Sequence, residues 1–172
     1  MNDRSSQAAQ TSKPFIISRT VNAPRALVWK AYTERERLMQ WFGPKGFITP
    51  HATLDLRPGG IYHYCMRASD GYEMWGKWIF REIVEPERLV VLVSFSDVHG
   101  GIARNPMSPT WPLQSLSTTT LVEQGDKTLI TIEWSAYDAT EEEQKTFDAG
   151  HESMRMGFTG TFDQLDAYLA SL

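Results

Sequence analysis

The chain has 172 residues, 41% of them hydrophobic and 22% charged, which is enough for one core and too little for two domains. Its formal net charge is -4, and the densest basic run, Arg35 to Arg37, is interleaved with Glu34 and Glu36, so nothing could neutralise a row of phosphates and nucleic acid is excluded as a partner. The longest apolar run, Leu89 to Val93, falls far short of the roughly 20 residues that cross a bilayer, and the single cysteine, Cys65, excludes an intramolecular disulfide.

Residues 1–13 are polar and aperiodic, the composition of a disordered N-terminal tail. They hold no apolar stretch of the kind a secretory signal needs, so the expected location is the cytoplasm. Residues 14–172 are expected to form a single domain. Phe15 to Val21 reads as a first strand. Pro24 suits the first turn of a short helix carrying Leu27, Val28, Ala31 and Tyr32. Thr33 and Glu36 have capping-box spacing, which predicts a second short helix running to Trp41, where Phe42-Gly43-Pro44 stops it. Six strands follow, at about 51–56, 61–68, 72–84, 88–96, 115–123 and 127–135. Arg57-Pro58-Gly59-Gly60, Asp70-Gly71, Glu85-Pro86-Glu87 and Gln124-Gly125-Asp126 separate them as turns. Turns this short join antiparallel neighbours, because parallel pairing needs a crossover. The C-terminal segment has a second capping-box pair, Thr140 and Glu143. Phe147, His151, Met154, Phe158, Phe162, Leu165 and Leu169 then recur every three or four residues, which predicts one helix from about Glu141 to Ala170 with an apolar stripe. About 30 residues make a rod of roughly 45 Å, which a small sheet covers only by curling around it. The expected fold class is therefore α+β, with a curved seven-stranded antiparallel sheet wrapped around a long C-terminal helix and two short helices after strand 1.

That order resembles the helix-grip fold of the START-like (SRPBCC) superfamily. Five strings narrow the resemblance: Val21-Asn22-Ala23-Pro24-Arg25-Ala26-Leu27-Val28-Trp29, Trp41-Phe42-Gly43-Pro44, Pro58-Gly59-Gly60, Glu82-Ile83 with Pro86-Glu87-Arg88-Leu89-Val90, and Gly157-Phe158. Together they look like the family named for the C-terminal domain of the activator of the heat-shock-protein-90 ATPase, in its stand-alone bacterial form, over residues 14–171. The chain departs from the family at Phe158, where tryptophan is usual, and in the longer loop from Asp97 to Gln114. The resemblance implies that a ligand would sit between the sheet and the long helix.

Side chains alternate across a strand, so Tyr62, Tyr64 and Met66 share one face of the third strand, and Met74, Gly76, Trp78 and Phe80 one face of the next. If these meet Met154 and Phe158 on the helix, they line an apolar cavity with a few polar tips; the alternative is ordinary core packing with methionine as filler. The candidate ligand-binding residues are Trp41, Tyr64, Met66, Trp78, Phe95, His151, Met154 and Phe158, with His151 at the edge and Gly150 and Gly157 opening space. The function read from this is binding of a small hydrophobic or aromatic molecule in an internal cavity, without metal or cofactor. The alternatives are a cavity enzyme of the cyclase or hydrolase type, using His151, Tyr64 and Glu73, and an interaction protein with a chaperone partner; a homodimer is also left open. His63, Cys65, Asp97 and His99 are of metal-ligating type but lack ligand spacing. Cys65 has no neighbouring base in sequence to make it a nucleophile. The loop from Ser96 to Gln114, with Met107 and Trp111 expected to be exposed, is either a binding segment or a tolerated insertion.

Overall fold

The computed structural model describes residues 13–172. Its strands are β1 (Phe15–Val21), β2 (Phe47–Leu54), β3 (Ile61–Ala68), β4 (Glu73–Val84), β5 (Arg88–Ser96), the two-residue β6 (Ile102–Ala103), β7 (Gln114–Gln124) and β8 (Lys127–Tyr137). Its helices are α1 (Arg25–Thr33), α2 (Arg35–Trp41), α3 (Glu141–Ala149) and α4 (His151–Ala170). The strands pair antiparallel in the order β1-β8-β7-β5-β4-β3-β2, with β6 added beside β5. This is the helix-grip arrangement. The turns act as their composition dictates: Gly125, at φ 66, closes the β7–β8 hairpin, where Gln124 faces Lys127. Apart from Lys13, the expected tail lies outside the described residues.

Three local expectations are corrected. β2 begins at Phe47, not near His51, because Phe47 and Ile48 pair with Ala68 and Arg67 before a bulge leading to His51. Pro50 has no N–H for the ladder and sits in that irregularity, which hides the alternation. The capping box at Thr33 and Glu36 does not form. Helix α1 extends through Thr33, whose hydroxyl donates to the Trp29 carbonyl at 2.7 Å, leaving Glu34 as a cap without a side-chain bond. The single C-terminal helix is in fact two, separated at Gly150, whose N–H donates to the carbonyls of Thr146 at 3.1 Å and Phe147 at 3.0 Å.

The second capping box does form: the Glu143 N–H donates to Thr140 Oγ1 at 3.1 Å, and the Thr140 N–H to Glu143 Oε1 at 3.0 Å. Helix α4 buries Phe162, Leu165 and Leu169 in a core shared with Val21, Ile130 and Ile132 from β1 and β8 and with Val28 and Leu38 from the short helices. Arg19 of β1 pins α4 to the sheet. Its guanidinium lies 5.4 Å from the centre of the Phe162 ring and donates to Asp163 at 3.1 Å and Asp166 at 2.6 Å. The N-terminal end of α4 is held less fully, with His151, Met154 and Phe158 only half-buried, and the inner face of the sheet opens there.

Candidate functional site

A cleft of about 680 Å³ lies between the sheet, α3, the start of α4 and the segment 97–113. The strand register builds its floor. Tyr64 faces Gly76, which faces Phe95, so three adjacent strands contribute one row. Gly76 is required there: a Cβ would stand 2.5 Å from the Tyr64 hydroxyl oxygen and 2.6 Å from Cζ, so the Tyr64 ring lies over the bare backbone. Phe42 supports that ring edge-on, 5.2 Å between centroids. Met66, Met74, Val93, Ser115 and Trp134 extend the floor, and Thr146, Ala149, Gly150, Ser153 and Met154 form the roof. Ala149 and Ser153 are exposed, so the space is open at this rim and not the internal cavity expected.

The front wall is the segment 97–113, a strap tied to α3. Arg104 pairs with Glu143, the Thr146 hydroxyl donates to Thr110 Oγ1 at 2.8 Å, and Trp111 packs on Phe147 with centroids 5.4 Å apart. The backbone N–H of Thr140 and then Arg104 hold the Glu143 carboxyl below its ordinary value. Glu143 thus joins the helix cap to the strap. Asn105, Ser108, Trp111 and Pro112 of this strap face the cleft. Trp111 is therefore half-buried, contrary to expectation, whereas Met107 is 82% exposed.

Of the eight candidate residues, the structure brings Tyr64, Met66, Phe95 and Met154 together around the cleft. The other four lie elsewhere. Trp41 is 2% exposed, donates its indole N–H to the Ala31 carbonyl at 3.0 Å and packs on Tyr32 in the core of the short helices. Trp78 is buried among Phe42 and Tyr62. Phe158 stacks on Phe15 at 5.6 Å and meets Trp134 edge-on at 5.3 Å. His151 sits between Phe15 and Phe147, at 5.7 and 5.3 Å, with a buried Nε2 that has no hydrogen-bond partner among the described residues. Gly157 is exposed with nothing near its missing Cβ, so it opens no space in the cleft. Sequence reasoning missed Trp111, Trp134, Asn105 and the serines. Trp134 carried a signal, since it alternates with Ile130 and Ile132 on β8.

The groups with possible acid–base or metal chemistry do not converge. Glu73 accepts from the Cys65 thiol at 2.8 Å and pairs with Arg67 at 3.5 Å, away from the cleft lining, so it does not meet Tyr64 or His151. His63 Nε2 lies 2.9 Å from Ser96 Oγ and 3.2 Å from the Asp97 carbonyl. Asp97 accepts the backbone N–H of His99 at 2.8 Å and of Gly101 at 2.9 Å. Among the described residues, no three His, Cys, Asp or Glu side chains are grouped to hold a metal ion, and no helix is long and apolar enough to cross a membrane.

Burial, reinforced by Glu73, pushes the Cys65 thiol up to about 12 from 9.0. The folded state therefore keeps its proton after the unfolded state has lost it. This contribution to stability is complete below about pH 9 and is lost between about pH 9 and 12. Iodoacetamide is expected to leave Cys65 unmodified in native protein at pH 8 and to label it fully after denaturation, read by mass spectrometry; rapid native labelling would contradict the burial.

The comparisons with known proteins agree with this architecture. The family model described as Activator of Hsp90 ATPase homolog 1-like protein matches residues 22–170. A solution structure of a protein from Arthrobacter aurescens is 25% identical, with a TM-score of 0.76 over 95% of this chain and 92% of that one. A crystal structure of a protein from Mycobacterium smegmatis is 28% identical, with a TM-score of 0.70 over 91% and 90%. A third, from Rhodobacter sphaeroides, shares 17% identity at a TM-score of 0.73 over 95% and 99%, a likeness of fold. No curated protein matches.

Proposed function

The chain belongs to the Activator of Hsp90 ATPase homolog 1-like protein family, and from that premise we propose that it is a binding module for a small hydrophobic or aromatic molecule held between the sheet and its C-terminal helices. One observation carries the reading: Tyr64, Met66, Phe95 and Met154 converge on a single cleft of about 680 Å³, within the range of about 300–1,000 Å³ usual for small-molecule sites. Aromatic faces and flexible thioethers suit a flat apolar guest, because methionine adapts its shape and its sulfur packs well against ring edges. No residue is assigned a catalytic role, since His151, Tyr64 and Glu73 have separate surroundings.

The test is an environment-sensitive apolar fluorophore titrated into wild type and into Ser153→Trp. Ser153 is an exposed residue on the rim, so the variant is expected to keep wild-type stability within about 0.5 kcal/mol. Wild type is expected to bind the fluorophore and the variant to bind it at least about tenfold more weakly, a change of about 1.4 kcal/mol. Wild type without saturable binding, or equal binding by both, would overturn the reading.

A further inference from the structure

We infer that the cleft selects a neutral aromatic molecule bearing a hydroxyl or carbonyl oxygen, and rejects the carboxylate, phosphate and ammonium forms of the same skeleton. This deepens the proposed binding function and rests on it. The observation is an exclusion: among the described residues, none of the 20 that line the cleft is Asp, Glu, Lys, Arg or His, although the chain has 17 Lys and Arg and 21 Asp and Glu. Arg104 of the strap and Glu73 of β4, which stand on elements that line the cleft, are each already matched. Arg104 faces Glu143 behind the strap, and Glu73 is shared by Arg67 and Cys65 beyond the lining. A charged group carried against the floor, away from the open rim, would lose its hydration without gaining a counter-ion, and burying an unpaired charge costs far more than burying a neutral polar group.

The polar groups that do line the cleft suit a neutral oxygen. Ser108, Ser115 and Ser153 supply hydroxyls, each able to donate and accept, on the strap, the floor and the rim. Asn105 Oδ1 already accepts the Met107 N–H at 2.9 Å, which leaves the carboxamide NH₂ to donate. Between them, Trp111, Trp134 and Phe95 offer flat apolar walls. The ring would be held by those walls, and its oxygen by hydroxyls and an amide.

The experiment compares naphthalene, 2-naphthol, 2-naphthoate and 2-naphthylmethylammonium by titration calorimetry at neutral pH on the full chain. Naphthalene and 2-naphthol are expected to bind, and each ion to bind at least about tenfold more weakly than 2-naphthol. An ion binding less than tenfold more weakly would overturn the charge selectivity while leaving the binding function intact, whereas no binding by any of the four would overturn the binding function and the selectivity with it. Combining Ser108→Ala, Ser115→Ala and Ser153→Ala is expected to weaken 2-naphthol about fivefold and to leave naphthalene within about twofold. Equal losses for both would overturn recognition of the oxygen.

Discussion

Phe162→Ala is expected to destabilise the protein by about 3–5 kcal/mol, a loss large enough to unfold a marginal domain at physiological temperature. Phe162 is 1% exposed and lies in the core between α4 and the sheet. The substitution removes the transfer energy of a whole ring and leaves a void that surrounding side chains fill only partly. It also removes the face over which Arg19 lies while that guanidinium bonds Asp163 and Asp166, so the tie between β1 and α4 weakens at the same point. Urea denaturation followed by circular dichroism measures the change. A loss below about 1 kcal/mol would mean that this end of α4 is not the main anchor of the helix.

The second large effect is expected at Gly150→Leu, and it tests the strap. A Cβ at this position would lie 2.8 Å from Trp111 Cζ3 and 3.3 Å from Cη2. Two effects oppose each other. Gly150 joins α3 to α4 in right-handed helical conformation, at φ -88 and ψ 0, so leucine there gains up to about 1 kcal/mol from helix propensity. The indole is not a flexible tip, however: it packs against Phe147 on a strap fixed by Arg104 and Thr110. Overpacking against such a neighbour costs about 1–3 kcal/mol, so steric conflict wins. The variant is expected to melt several degrees lower, to shift the Trp111 fluorescence, and to bind an apolar fluorophore at least about tenfold more weakly because the displaced strap no longer forms the front wall. Gly150→Ala should show the same changes in smaller degree. Unchanged melting and binding in both would mean that Trp111 swings aside freely.

Features legible in the sequence were those set by residues close together in the chain. The Thr140–Glu143 cap, the Gly125 hairpin and the alternation of Tyr62, Tyr64 and Met66 need only local spacing, and each appears as read. Gly150, Gly157 and Gly160 together suggest a kink, a close backbone approach or added space in the last helix, but not at which of them, because the steric partner of Gly150, Trp111, is distant in the chain and no periodicity links the two. Thr33 shows a different failure. Its spacing to Glu36 satisfied the capping pattern, but extending α1 by one residue used its hydroxyl inside the helix. The candidate site was legible only by halves, since large aromatics serve core and cleft alike. Trp41 and Tyr64 look equivalent in sequence, yet one satisfies its N–H on Ala31 deep in the core while the other lies over Gly76 beside open space. Glycine was equally ambiguous: Gly76 admits a tyrosine ring, Gly150 admits an indole, and Gly157 faces solvent.

The seven methionines provide the most direct test, because Met66, Met74 and Met154 line the cleft whereas Met107 and Met156 are 82% and 72% exposed elsewhere. Methyl NMR of protein labelled at the methionine ε-carbon, titrated with 2-naphthol, reports each position separately. Binding between sheet and helices should move the Met66, Met74 and Met154 signals together, along one saturating curve, and leave Met107 and Met156 in place. Shifts confined to the exposed methionines, or no saturable shift at the three cleft positions, would show that the space between the sheet and its helices does not hold a ligand of this kind.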